Sequence, residues 1–119
     1  MVNENTTNSL GFLSKPFKLK GKKVWVAGAT GMLGSATAKR LKSEYCKILK
    51  PKRSELDLLV QKDVNDWVQF NKPDVVIIAA ATVGGILANS THPADFIYNN
   101  IVIESNIIHA SYKNEVEKL

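Results

Sequence analysis

Apolar positions fall in short blocks separated by polar and turn-forming stretches, and the spacing within each block names an element. Lys23-Val-Trp-Val-Ala-Gly28 is a run of β-branched and aromatic residues ending in glycine, which predicts a buried strand. From about Met32 to Glu44 the pattern becomes helical, with Leu33, Ala36, Ala38 and Leu41 as its apolar side and Lys39, Arg40 and Lys42 facing water. Lys47 to Lys50 reads as a short second strand stopped by Pro51. Val60, Val64, Trp67 and Val68 then recur at helical spacing around a segment from Gln61 to Phe70, which Asn71-Lys-Pro73 terminates. Asp74 to Ala80 is the most apolar block and lacks alternation, as expected of a parallel strand covered on both faces. Thr91-His-Pro93 opens a last helix running to about Lys113, with proline suited to its first turn.

Three strand-then-helix repeats predict an α/β fold, a doubly wound parallel sheet with right-handed crossovers. Residues 1 to 21 show no period and read as a flexible extension, with the folded unit over 22 to 119. Glu115 to Leu119 resembles the lead-in to a fourth strand, so the edge beside the third strand is expected to be open and the sheet truncated. The last helix is apolar around much of its girth. Phe96, Ile103, Ile107 and Ala110 form one stripe, and Ile97, Ile101 and Ile108 a second that needs its own partner, either a matching helix of a second subunit or a further element of the same fold.

Composition narrows the class. The chain has 119 residues, 45% hydrophobic and 23% charged, which suits one soluble domain. A single cysteine, Cys46, excludes an intrachain disulfide, and neither a signal peptide nor a membrane span is evident, so a cytoplasmic location is expected. The net charge of +5 is the sum of +9 over residues 1 to 55 and −4 over residues 56 to 119. A basic half points to an anionic partner. Its cations are not interleaved with stacking aromatics and no nucleic-acid-binding signature occurs, so a phosphate-bearing small molecule is preferred over nucleic acid.

Candidate chemistry begins at Gly28-Ala-Thr-Gly31-Met-Leu-Gly34, a glycine triplet between a predicted strand and a predicted helix. Gly28 turns the chain, Gly31 leaves room for a pyrophosphate, and Gly34 lets the helix approach the sheet. Ala29, Thr30, Met32 and Leu33 complete this loop, whose helix start presents unpaired amides and partial positive charge to phosphate. The alternative is a glycine turn that binds nothing. No Lys-Ser/Thr pair follows Gly34, so a nucleoside-triphosphate loop is excluded. At the end of the second strand, where an acidic residue would accept bonds from a ribose hydroxyl, the chain has Lys50-Pro-Lys-Arg53. Arg53, helped by Lys50 and Lys52, favours the 2′-phosphate of NADP, the alternative being a solvated basic turn. Asp57 reads equally as an adenine neighbour or a turn residue. No metal-ligand cluster is found.

Val26-Ala-Gly-Ala-Thr-Gly-Met-Leu-Gly-Ser35, Arg53-Ser-Glu-Leu-Asp-Leu58, Ala79-Ala-Ala-Thr-Val-Gly-Gly-Ile86, His92-Pro-Ala-Asp-Phe-Ile-Tyr-Asn-Asn100 and Glu104-Ser-Asn-Ile-Ile-His-Ala110 together resemble the amino-terminal part of the GDP-L-fucose synthase family of extended short-chain dehydrogenase/reductases. The resemblance covers Lys22 to Leu119. It implies an NADPH-dependent enzyme that epimerises a GDP-4-keto-6-deoxy-mannose and reduces its ketone. It further implies that Gly28, Gly31 and Gly34 hold the pyrophosphate, Arg53 the 2′-phosphate, and Asp57 and Leu58 the adenine. Ala79, Ala80 and Ala81 would pass under the ribose, and Asn100 would lie toward the nicotinamide. It also implies a homodimer through the last helix, a GDP-sugar substrate and no membrane partner. Two departures stand out: Ala29-Thr30 replaces a common His-Arg, and Thr82 replaces a common lysine.

Reduction in this superfamily uses a tyrosine with a lysine four residues later, the cation lowering the phenol pKa. Here Tyr45 is followed at that distance by Leu49, Tyr98 by Val102 and Tyr112 by Val116. The family's catalytic serine, and its epimerase cysteine and histidine, would lie beyond Leu119. No catalytic residue is therefore assigned: Cys46 reads as a core filler, His92 as a helix-start residue and His109 as a helix-surface residue.

Overall fold

The computed structural model describes residues 16–80 and 91–119. Ala81 and the Thr82, Gly84 and Gly85 positions of the third motif lie outside the described residues. In chain order the elements are β1 (Lys23–Ala27), α1 (Met32–Leu41), β2 (Lys47–Leu49), α2 (Gln61–Asn71), β3 (Val75–Ile78) and α3 (Pro93–Lys113). All strand pairs are parallel in the order β2-β1-β3, with Val24 facing Ile48 on one side and Val75 on the other.

Alternation along β1 divides the core. Trp25 and Ala27 point to the face covered by α2 and α3, where they meet Val64, Val68, Val76, Ile103 and Ile107. Val24 and Val26 point to the opposite face with Leu41 of α1 and Val75. Helices on both faces of a parallel sheet make the doubly wound α/β arrangement the pattern predicts. On the second face Leu19 also packs against the core, and the Gly21 amide donates to the Tyr45 carbonyl at 3.0 Å. Residues 16–22 are further tied to the far end of the chain: Lys22 Nζ lies 2.8 Å from Glu117 Oε2, and Lys118 Nζ lies 5.0 Å from the centre of the Phe17 ring.

Several boundaries and faces differ from expectation. The side of α1 turned to the sheet is Gly34, Ala38 and Leu41, whereas Leu33 and Ala36 are exposed. Gly34 is the reason, because its close contact with the Gly28–Ala29 backbone brings the glycine, not the leucine beside it, against the loop that follows β1. The helix ends at Leu41 and tightens into a 3₁₀ turn over Lys42–Glu44, after which Tyr45 takes φ 55° to reverse the chain. Val60 caps α2 from an exposed position, and α2 continues to Asn71, where Lys72 at φ 48° donates its amide to the Val68 carbonyl. β3 is shorter than the apolar block. Asp74 precedes it and accepts the Lys23 amide at 2.8 Å, while Ile77 and Ile78 are half-buried where full burial was expected.

The chain's last residues return along the outer edge of β3. Lys118 forms an isolated parallel bridge with Val75, and its carbonyl accepts the Val76 amide at 2.9 Å, on the edge of β3 where the sequence pattern placed the lead-in to a fourth strand. On α3, Ile103, Ile107 and Ala110 are buried and Phe96 is half-buried. Ile97, Ile101 and Ile108 stand exposed as the second stripe.

Candidate functional site

A strand order of 2-1-3 reverses direction between β1 and β3, and the carboxyl ends of the strands at such a reversal leave a crevice. In this protein the crevice is a cavity of about 250 Å³. Gly28, Ala29, Thr30 and Gly31 line one side, Arg53, Asp57 and Leu58 a second, and Ala79 and Ala80 a third. Three sequence segments singled out separately are thus brought to one place.

The glycines do different work. Gly28 sits at φ +87°, and a Cβ there would lie 2.5 Å from Ala80 Cα and 2.8 Å from the Ala79 carbonyl carbon, so the turn and the end of β3 touch backbone to backbone. A Cβ on Gly34 would overlap the Gly28 carbonyl oxygen and reach within 2.6 Å of its carbon, so α1 rests directly on the loop. Gly31 is different: a Cβ there would meet only the Gly28 oxygen, at an ordinary 3.5 Å. Its missing side chain is not demanded by the protein's own packing and instead leaves the cleft side open. Gly31 also caps α1 without a side-chain hydrogen bond, and no carboxylate lies in the first turn. The positive end of the helix therefore meets neither a side-chain cap nor a carboxylate from its own first turn.

The opposite wall is an irregular loop between β2 and α2. Leu56 anchors it in the core at 4% exposure, and its amide and that of Glu55 both donate to the Lys52 carbonyl at 2.9 Å. Asp57 Oδ1 accepts the Leu59 amide at 3.0 Å, and the Asp57 carbonyl accepts that of Val60 at 3.1 Å. Of the two readings of Asp57, the structure shows the turn residue directly. Arg53 lines the cleft, while Lys50 and Lys52 are exposed and do not.

Some expected site residues lie elsewhere. Met32 and Leu33 are 92% and 67% exposed and their side chains do not line the cleft; Gly34 lies beneath it; Asn100 is half-buried on α3 and outside its lining. Conversely, Trp25, Ala27, Pro51, Leu56, Leu59 and Ile103 also form walls. Trp25 is fully buried against Trp67, with ring centres 4.7 Å apart at 44°. Leu56 and Leu59 carried a signal, being apolar in a polar turn next to Arg53.

The arrangement offers a cleft with apolar walls from Leu56, Leu58, Leu59 and Ile103, one guanidinium and an uncapped helix start, a chemistry suited to an adenosine carrying phosphates. Polar chemistry for a reaction is sparse. Tyr45 and Tyr98 are exposed, as is Tyr112; Cys46 is half-buried with Sγ 3.7 Å from the Leu41 carbonyl oxygen; His92 precedes α3 and His109 faces outward. Among the described residues no cluster of His, Cys, Asp or Glu could hold a metal, and no helix is long and apolar enough to cross a membrane.

Comparison with known proteins agrees with this geometry. Residues 24–119 match the family described as "NAD dependent epimerase/dehydratase family". The chain is 50% identical over 103 residues to a GDP-L-fucose synthase of Sinorhizobium fredii, covering 87% of this chain and 33% of that protein. It is 48% identical over 98 residues to the GDP-L-fucose synthase of Escherichia coli K12, covering 82% and 30% respectively. Among solved structures it superposes with TM-score 0.76 and 34% identity on a GDP-mannoheptose C4 reductase from Campylobacter jejuni with NADP bound, over 85% of this chain and 32% of that one. The chain thus spans about a third of the length of the curated relatives it matches.

Proposed function

Because the chain belongs to the NAD dependent epimerase/dehydratase family, we propose that its cleft holds the adenosine and pyrophosphate of NADP within a GDP-sugar epimerase/reductase of the GDP-L-fucose synthase type. One observation carries the reading. Gly31 is bare on the cleft side without any packing need for it, at a helix start that no side chain caps, with Arg53 on the same cleft.

In this reading the amides around Gly31 and the positive end of α1 bind the pyrophosphate, with Gly28 and Gly34 fixing where that end points. Arg53 grips the 2′-phosphate through its planar fork. Leu58 and the apolar walls take the adenine, and Ala79 and Ala80 pass beneath the ribose, with Asn100 toward the nicotinamide. NADPH bound there supplies hydride to a sugar ketone. The proton donor for that step is not among these 119 residues, since no tyrosine here has a lysine four positions on. Residues 1–119 therefore contribute cofactor binding rather than turnover. The relatives named GDP-L-fucose synthase, together with the GDP-mannoheptose reductase, support a GDP-linked sugar as the substrate class. The exposed stripe of α3 serves as the contact for a second subunit.

Calorimetric titration of the chain with NADPH and NADH tests the reading, with tighter NADPH binding expected. Absence of binding to either would overturn it. Turnover of GDP-4-keto-6-deoxy-mannose by the 119 residues alone, above a no-protein control, would overturn the division of labour.

A further inference from the structure

Asn106 is out of place on α3. It lies on the same buried side as Ile103, Ile107 and Ala110 and is only 6% exposed, so its amide group is withdrawn from water where an apolar side chain would fill the space at no polar cost. Its Nδ2 donates to the main-chain carbonyl of Leu58 at 2.9 Å, across 48 positions of sequence. That carbonyl shares a peptide plane with the amide of Leu59, which donates to Asp57 Oδ1 at 3.0 Å. A peptide unit is rigid and planar. With Asn106 holding its oxygen and Asp57 holding its hydrogen, the 58–59 unit is fixed at both ends, and rotation about either flanking bond breaks one hydrogen bond or the other. Asp57, Leu58 and Leu59 on either side of this plane all line the cleft, and Ile103, one turn before Asn106, lines it too.

We propose that Asn106 is a positioning residue for the adenosine wall of the cleft, acting through the Leu58–Leu59 peptide rather than by touching the nucleotide. The proposal rests on the nucleotide reading given above. It assigns a buried amide on α3 the task of keeping an irregular loop in one conformation, so that the slot exists before the ligand arrives and ordering the loop does not weaken binding.

The experiment uses the 119-residue chain, with Asn106→Leu, which keeps the branched outline but loses the donor, and Asn106→Ser, whose hydroxyl is too short to reach the Leu58 carbonyl. NADPH and 2′,5′-ADP, which carries only the adenosine end, are titrated into each. Thermal melting and amide hydrogen exchange are read in parallel. Both variants are expected to weaken both ligands by a similar factor of about five to ten, the scale of one neutral hydrogen bond. Exchange at the Leu59 amide should quicken while Val24 and Val26 of β1 stay protected. Wild-type affinity in both variants would overturn the role of Asn106 and leave the nucleotide reading intact. Loss of affinity together with loss of β1 protection would also overturn it, reducing Asn106 to a core residue. A wild-type chain that binds neither ligand would remove both.

Discussion

Replacing each loop glycine by alanine should separate what the fold needs from what a ligand needs. For Gly28→Ala two costs combine. The left-handed backbone at φ +87° disfavours a Cβ by about 1–2 kcal/mol. The methyl would also lie 2.5 Å and 2.6 Å from the Cα and nitrogen of Ala80, main-chain atoms that cannot rotate away, so an overpacking cost of about 1–3 kcal/mol is added. For Gly34→Ala the backbone is helical and only the overlap with the Gly28 carbonyl counts, but relieving it means lifting α1 from the loop, again about 1–3 kcal/mol or more. Gly31→Ala meets nothing closer than 3.5 Å at φ −75°, which alanine adopts freely, and a stiffer unfolded chain gives back about 0.4–1 kcal/mol. Against a total stability of about 5–15 kcal/mol, Gly28→Ala should lower Tm by at least about 10 °C and Gly34→Ala by at least about 5 °C, with Gly31→Ala unchanged or slightly raised. NADPH affinity should move the other way, falling about tenfold or more in Gly31→Ala despite its sound fold. Scanning calorimetry and titration on the same samples read both. A Gly34→Ala chain melting like wild type would refute the close-contact argument, and undiminished NADPH binding by Gly31→Ala would refute the assignment of that open space to phosphate.

Arg53→Ala should weaken NADPH by about ten- to a hundredfold, the range for hydrogen bonds to a charged group, and leave NADH nearly unchanged; equal losses in a paired titration would show that the guanidinium does not meet a 2′-phosphate. The Lys22 ammonium is held above its usual 10.5, chiefly because it donates to the Glu117 carboxylate, with slight desolvation pulling the other way. A raised lysine pKa stabilises the folded state fully below the unfolded value and loses that effect as pH climbs through the folded one. The Tm difference between wild type and Glu117→Gln should therefore stay flat from neutrality to about pH 10 and shrink above it, and added salt should diminish it throughout. Ile101→Lys should convert a self-associating chain to monomer in sedimentation velocity and abolish the concentration dependence of Tm; a wild-type chain that is already monomeric at high concentration would count against α3 as a contact between copies.

The order and type of every described element could be read from apolar spacing, because each strand and helix buries a face whose period is its own signature. What spacing could not supply was rotation and neighbourhood. On α1 the larger apolar residue, Leu33, attracts the eye, yet it is Gly34 that faces inward onto the loop after β1, since approach distance rather than side-chain size sets the helix orientation there. Asp74 to Ala80 reads as one uniform strand, but its ladder within the sheet spans only Val75–Ile78, and Asp74 instead uses its carboxylate at the ladder's start. The glycine loop, Arg53, Asp57, Leu58 and the two alanines were legible because motif chemistry is local. Trp25 and Ile103 became cleft walls only through packing. Asn106 was invisible for a further reason: on a helical pattern an asparagine is counted as a solvent-facing residue, and only a partner 48 positions away reveals otherwise.

The central place of β1 has a consequence for how the chain is made. Among the described strands β1 comes first in sequence and lies in the middle, with β2 on one side of it and β3 on the other, so neither later strand has to be inserted between two that are already paired. In that order each later βα unit adds at a free edge, and its ladder can form with no earlier ladder undone. Glu117 and Lys118, already bonded to the outer side of β3, continue the same outward order.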